Sequence, residues 1–149
     1  MVADPPELAG ADGADAGRPD ADLSGQGEAG DEPEIRQGDV YGVDLGDPVG
    51  SEPGFLRPYV VVQNDALNAS RLGTVMVCAL TSNLRLARYS GNVRLAAGEA
   101  GLPKPCVVNV TQVFTINKSD LGDWLGRLSA ARVRQVIAGV RLVLTPTDL

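Results

Sequence analysis

The chain has 149 residues, of which 44% are apolar, with 18 glycines, 10 prolines and a net charge of −6. These numbers fit one domain with a modest core and many turns. No apolar run approaches the ~20 residues that span a bilayer, and the acidic N-terminus lacks the basic start of a secretory signal. We therefore expect a cytoplasmic protein with no membrane association. Cys78 and Cys106 lie inside apolar runs, where cysteine usually acts as a small buried hydrophobe, so we expect both to be reduced.

The charge divides the chain into two regions. Residues 1–34 hold ten acidic residues and one basic residue, a net charge of −9, with almost no large apolar side chain. Such a segment cannot offset its own ordering entropy, so we predict a disordered acidic tail. Residues 35–149 hold nine acidic and twelve basic residues, a net charge of +3, which is compatible with an anionic partner. The acidic tail either screens the groove of residues 35–149 that would bind such a partner, or it is passive. The sequence leaves both interpretations open.

Short β-branched and alternating apolar runs dominate the region from residue 35 onward and predict strands. We expect six, at residues 40–45, 58–63, 74–80, 92–95, 106–115 and 125–128. Residues 64–70 leave room for one or two helical turns. The sequence therefore predicts a mainly β protein, built as a small and mostly antiparallel barrel.

The last element has a helical pattern. Ser129 is a good N-cap, and apolar residues recur at three- and four-residue spacing up to Pro146, which ends the helix. The apolar stripe consists of Val133, Val136, Ile137, Val140 and either Val143 or Leu144. We predict a C-terminal amphipathic helix that packs on the barrel.

One arginine stands at the start of the second predicted strand. Residues 46–56, with three glycines and two prolines, are too long for a tight hairpin and lead directly into Arg57. A guanidinium group offers a planar fork of donors that suits a phosphate or a carboxylate. An ordinary salt bridge to Glu52 or Asp65 would explain the position of Arg57 equally well.

A second basic cluster lies in residues 83–90. Arg85, Arg88 and Tyr89 form the best combination of basic and aromatic side chains in the chain. Single-stranded RNA is bound by such combinations, because its bases stack on aromatic rings while its phosphates contact basic groups. The alternative is a solvated loop.

The sequence does not favour a metal or a cofactor. It contains no histidine and only two well-separated cysteines, which cannot form a zinc site. Asp39, Asp44 and Asp47 lie close together in sequence, but carboxylates spaced along a strand are usually solvated. A serine or cysteine triad would lack its imidazole. We expect no metal and no cofactor.

Several short motifs, in order along the chain, resemble the MazF/PemK family of toxin ribonucleases. They are Arg36–Leu45, Gly50–Pro58, Val60–Asp65, Leu80–Ser82 and Asn117–Lys118. The resemblance covers residues 35–149. It implies an SH3-like barrel, a homodimer, and metal-independent, sequence-selective cleavage of single-stranded RNA. It also implies a MazE-like antitoxin that lays an acidic segment over the RNA groove.

The resemblance also implies roles for individual residues. Arg57 and Thr81 match the catalytic pair of the family. The residues matching its surrounding substrate pocket are Ser51, Glu52, Gln63, Asn64 and Ser82, to which we add Arg85 from the basic cluster. In the implied reaction, the 2′-hydroxyl of RNA attacks the adjacent phosphorus and leaves a 2′,3′-cyclic phosphate and a 5′-hydroxyl. Arg57 would stabilise the charge that builds on the phosphate, and either Glu52 or water would act as the base.

Two other functions fit the same fold class. One is a toxin like CcdB, which binds gyrase without catalysis, and the other is an SH3-like module that only binds a protein partner. Both leave Arg57 and Thr81 without a shared task. Fragmentation of RNA in the presence of EDTA separates the nuclease from both alternatives.

Overall fold

The structure is a computed structural model that describes residues 34–44 and 57–148. Its elements are β1 (Asp39–Val43), β2 (Arg57–Val61), α1 (Asp65–Asn68), β3 (Thr74–Thr81), β4 (Val93–Leu95), β5 (Cys106–Asn117), β6 (Leu121–Arg127) and α2 (Ala130–Leu144). Short 3₁₀ helices span Leu84–Arg88, Glu99–Gly101 and Lys118–Asp120. The predicted acidic tail, apart from Glu34, and the predicted 46–56 loop lie outside the described residues. Within those residues, no helix is long and apolar enough to cross a membrane.

The six strands form one antiparallel sheet in the order β4-β5-β3-β2-β1-β6. This arrangement, followed by a terminal helix, confirms the predicted fold class. In the described part of the chain the edge strands β4 and β6 do not pair with each other, so the sheet is open. The 99–101 turn packs against β6 instead. A Cβ atom added at Gly126 would overlap the backbone of Ala100, so this contact requires glycine.

Helix α2 covers one face of the sheet, as its apolar stripe predicts. The Ser129 hydroxyl accepts a hydrogen bond from the Arg132 N–H at 3.2 Å, which caps the N-terminus of the helix. Gly139 of α2 meets the backbone of Gly91 so closely that a Cβ atom there would overlap the Gly91 carbonyl oxygen. The core beneath α2, which we call the aliphatic core, contains mainly valine and leucine side chains from all six strands or the residues flanking them. Val133, Val136, Ile137 and Val140 of α2 pack on it.

The opposite face of the sheet carries a second group of buried side chains. It contains Tyr41 and Val43 of β1, Tyr59 and Val61 of β2, and Val75, Val77 and Ala79 of β3. We call this surface the open face, because no helix of the described residues contributes to its cluster, although its seven side chains are at most 8% exposed. Alternation along β2 and β3 sends every second side chain to this face and the others to the aliphatic core.

Candidate active site

The sheet brings the two predicted catalytic residues together. β2 and β3 are antiparallel and pair Tyr59 with Ala79, Val60 with Cys78 and Val61 with Val77. Continued by two residues beyond the first of these pairs, the same register brings Arg57 at the start of β2 opposite Thr81 at the end of β3. Residues directly opposite in an antiparallel pair have Cβ atoms roughly 5 Å apart and side chains on the same face. Arg57 and Thr81 can therefore contact one small group at this end of the sheet.

The open face surrounds this pair. Arg57 and Thr81 are both partly exposed, whereas the next residues of β2 and β3 on the same face, Tyr59 and Ala79, are buried. Burial raises the pKa of Tyr59 above its usual value, and the positive charge of Arg57 opposes that rise. The charge of Arg57 thus acts on the open face, beside a ring that excludes water.

A tight turn fixes Thr81. The Asn83 N–H donates to Thr81 Oγ1 at 3.1 Å, and the Arg85 N–H donates to Asn83 Oδ1 at 3.2 Å. A hydroxyl group has two acceptor lone pairs and one donor hydrogen, so the bond from Asn83 leaves the Thr81 hydrogen available for a substrate oxygen. Ser82 and Arg85 are exposed in the same turn. Sequence reasoning missed Asn83, although a Thr-Ser-Asn run at a strand end is typical of such side-chain turns.

Gln63 and Asn64 lie elsewhere. They follow the opposite end of β2, roughly 20 Å from Arg57 at about 3.3 Å per strand residue. Gln63 is buried, and its Nε2 donates to Asn68 Oδ1 at 2.9 Å and to the Thr74 carbonyl at 3.2 Å. Asn64 caps α1 by accepting from the Leu67 N–H at 2.9 Å. The structure gives both residues a role in holding α1, and it does not bring them to Arg57.

The other predicted partners of Arg57 and of the substrate lie either outside the described residues or far from Arg57. Ser51 and Glu52 lie outside the described residues, so their predicted roles stay predictions. Asp65, one of the two partners considered for a salt bridge to Arg57, lies beyond the far end of β2. Its Oδ1 accepts the Gln37 N–H at 2.7 Å instead. The ordinary salt bridge to Asp65 is therefore not the reason for Arg57's position.

Asp39, one of the three aspartates weighed above as metal ligands, has another role. Its side chain is 1% exposed and forms an ion pair with Arg127, Nε to Oδ1, at 2.7 Å. Its second oxygen accepts the Arg36 N–H at 2.9 Å. Within residues 34–44 and 57–148, no three His, Cys, Asp or Glu side chains cluster as a metal site would require. Cys78 and Cys106 are free thiols, both buried.

A separate groove of about 520 Å³ opens between β4 and α2. Arg94, Arg132, Gln135 and Leu142 line it, together with residues of the 91–93 segment and of α2. Arg132 is already engaged there, because its guanidinium group donates to both oxygens of Glu99 at 2.9 and 3.0 Å. None of the predicted site residues lines this groove.

Comparison with known proteins identifies the family. Residues 36–144 match the model of the PemK-like, MazF-like toxins of type II toxin-antitoxin systems. The chain belongs to this family. Over 110 residues it is 46% identical to endoribonuclease MazF2 of Mycobacterium bovis, a match that covers 74% of this chain and 96% of the relative. Over 114 residues it is 32% identical to endoribonuclease EndoA of Bacillus subtilis, covering 76% and 97%.

Solved structures agree with the PemK/MazF assignment at the level of the fold. A mycobacterial endoribonuclease, solved in complex with its cognate antitoxin, superimposes with a TM-score of 0.58. That match covers 77% of this chain and 98% of the other at 24% sequence identity. The predicted family and enzyme class are thereby confirmed, since this PemK/MazF toxin aligns with curated endoribonucleases over nearly their whole length.

Proposed function

We propose that this PemK/MazF-family toxin is a sequence-selective, metal-independent endoribonuclease that cleaves single-stranded RNA by transesterification. The observation that supports this most strongly is the position of Arg57 opposite Thr81 on the open face. A fixed cation and a hydroxyl donor at one point form a site for a phosphate group. The absence of histidine from the chain supports a reaction in which the substrate supplies its own nucleophile.

The proposed reaction has one step at phosphorus. The 2′-oxygen of RNA forms a bond to the adjacent phosphorus while the bond from phosphorus to the 5′-oxygen breaks. The products are a 2′,3′-cyclic phosphate and a 5′-hydroxyl. Negative charge builds on the nonbridging oxygens, where the Arg57 fork donates two hydrogen bonds and the Thr81 hydroxyl donates a third. Preorganised donors of this kind are each worth roughly 100- to 1000-fold in rate.

The proton transfers are assigned to other groups. The 2′-hydroxyl must lose a proton and the 5′-oxygen must gain one, whereas an arginine stays protonated at neutral pH. Glu52 or a water molecule is the proposed base. Arg57 and Thr81 therefore act on the phosphate charge and not as proton carriers.

Partners follow from the family. We propose that a MazE-like antitoxin with an acidic segment inhibits this chain, as the mycobacterial structure with a cognate antitoxin suggests for that protein.

We also propose a homodimer. The C-terminal end of α2 exposes Leu142, Val143 and Leu144, an apolar surface of the kind that proteins bury against a second copy. We also propose a cytoplasmic location, where messenger RNA, the proposed substrate, is found.

Purified protein incubated with a long single-stranded RNA in EDTA tests the proposed function. Discrete fragments with 2′,3′-cyclic phosphate and 5′-hydroxyl ends are expected, and a 2′-deoxy substitution at the cut site should abolish cleavage there. Intact RNA would contradict the proposal and favour a gyrase-binding toxin or a protein-binding module. Cleavage only after magnesium is added would contradict metal independence alone.

A further inference from the structure

Four of the five aromatic residues in the described part of the chain lie on one face of the sheet. The whole chain has six aromatic residues: two phenylalanines, three tyrosines and one tryptophan. None of the five described ones is in the aliphatic core. The strand registers and ring contacts place Tyr41, Tyr59, Phe114 and Trp124 on the open face, the face that also carries Arg57 and Thr81.

These four side chains follow one another across the sheet, and we call them the aromatic row. Tyr41 of β1 pairs with Trp124 of β6 on one side and with Tyr59 of β2 on the other. Tyr59 pairs with Ala79 of β3, and Phe114 of β5 pairs with Val77 on the same face of β3. The Tyr59 and Phe114 rings meet edge to face, with centroids 5.9 Å apart and an interplanar angle of 77°. The row crosses five strands, or roughly 19 Å at about 4.8 Å per strand.

Exposure differs along the row. Tyr41 and Tyr59, in the middle, are 4% and 6% exposed, whereas Trp124 and Phe114, at the two ends, are 52% and 38% exposed. A base can therefore reach only the two end rings of the row. The pairing of β1 with β6 shifts register on both sides of Tyr41, the residue opposite Trp124. Such a β-bulge changes the direction of a nearby side chain.

We propose that this aromatic row is the base-stacking platform of the RNA site, with Phe114 and Trp124 stacking unpaired bases while the scissile phosphate lies at Arg57 and Thr81. The inference rests on the proposed function. Tyr59 links the two parts, since it lies two residues from Arg57 on the same face and contacts Phe114. Aromatic rings bind every base through its π-face, so the platform contributes affinity for single-stranded RNA with little sequence preference.

The single tryptophan of the chain allows a direct test. A mixed-sequence 2′-O-methyl RNA oligonucleotide, which this mechanism cannot cleave, is titrated against the wild-type protein while Trp124 fluorescence is recorded. Stacking of a base on the indole should quench the emission. An abasic oligonucleotide of equal length and charge serves as the control and should leave the emission unchanged. Emission that does not respond to the base-containing oligonucleotide would overturn the role of Trp124.

Leucine variants test both ends of the row. Phe114→Leu and Trp124→Leu should each weaken binding of the same oligonucleotide roughly 5- to 100-fold, which is the range for losing one stacked base. They should raise KM for a cleavable RNA while leaving kcat nearly unchanged, because stacking is present in both the bound and the transition state. Leu72→Ala is the control, because Leu72 is 42% exposed and lies outside both the row and the basic cluster of residues 83–90, so its loss should have little effect. Tyr89→Leu tests that competing cluster.

The outcomes separate the two proposals. If the wild-type protein cleaves RNA and both leucine variants bind like the wild type, the platform is wrong and the nuclease stands. If Tyr89→Leu is the variant that loses binding, the platform is also wrong. Trp124 emission that changes on dilution without RNA would assign the row to a protein interface. Because a variant that misfolds would also lose binding, Trp124→Tyr, which keeps an aromatic face, must restore affinity.

Discussion

Replacing Asp39 by asparagine should destabilise the fold far more than a typical loss of surface charge. The carboxylate is 1% exposed, pairs with Arg127 at 2.7 Å and accepts the Arg36 N–H at 2.9 Å. It joins the segment before β1 to β6, the strand that carries Trp124. Asparagine has nearly the same shape, so Asp39→Asn removes the charge and one acceptor without leaving a cavity.

The size of the effect follows from these two bonds. Each hydrogen bond to a charged group contributes about 1.5–3 kcal/mol, and the asparagine amide replaces one acceptor with a donor that faces another donor. Arg127 is 50% exposed, so water hydrates its charge after the change and the larger cost of an unpaired buried charge does not arise. For a domain of this size each kcal/mol lowers Tm by about 3–5 °C, so Asp39→Asn should lower Tm by roughly 5–15 °C.

The assay is thermal and urea unfolding followed by circular dichroism, at one protein concentration because assembly would shift Tm. The matched control is Glu99→Gln. It neutralises the acid of an ion pair with Arg132 whose side chains are 27% and 30% exposed, and it should cost at most about 1 kcal/mol. Equal losses in the two variants, or a loss below 1 kcal/mol for Asp39→Asn, would refute this reasoning.

Three further predictions concern residues away from Arg57. Gln63→Leu should lower Tm but leave kcat/KM within about two-fold, because the Gln63 side-chain amide donates hydrogen bonds to Asn68 and to the Thr74 carbonyl. Lost activity with a wild-type Tm would instead place Gln63 in the RNA site. The hydrogen bond from Arg132 lowers the pKa of Glu99 below 4.5. The wild type should therefore be more stable than Glu99→Gln by a constant amount above pH 4.5, and this advantage should shrink as pH falls through the lowered pKa of Glu99. Tm measured against pH tests this, and an advantage that grows below pH 4.5 would contradict it. Burial raises the pKa of Cys78 from 9.0 to about 12, so native Cys78 should alkylate at least ~10-fold more slowly than in urea; comparable rates by mass spectrometry would contradict its burial.

Local patterns predicted most of the fold. The apolar runs of β2 and β3 predict buried strands, and the three- and four-residue spacing in α2 predicts the face that packs on the core; Val143 and Leu144, the two alternatives for the last member of that stripe, are exposed. The sixth strand was predicted at residues 125–128 but spans Leu121–Arg127. Gly122, Asp123 and Gly126 have low strand propensity, and pairing with β1 extends the strand beyond what these residues favour alone.

The site could be predicted only in part. The family resemblance selected Arg57 and Thr81, but their direct opposition depends on the register of β2 and β3, which the intervening α1 segment sets. The same resemblance grouped Gln63 with them, whereas the structure places it at the opposite end of β2. Its hydrogen bonds to Asn68 and Thr74 depend on the packing of α1, and sequence spacing does not report that packing. The aromatic row also depends on register, since its members come from four strands.

The central claim, that Arg57 and Thr81 act on one phosphate, is tested most directly by single-turnover cleavage rates of Arg57→Ala, Thr81→Val and the double variant. Arg57→Ala should slow cleavage at least ~100-fold, because it removes the main stabilisation of the phosphate charge. Thr81→Val keeps the shape of the side chain and removes only the hydroxyl, so it should slow cleavage with Tm unchanged. If both residues bind the same phosphate, the double variant should be less impaired than the product of the two single effects. A wild-type cleavage rate for Arg57→Ala would contradict the account.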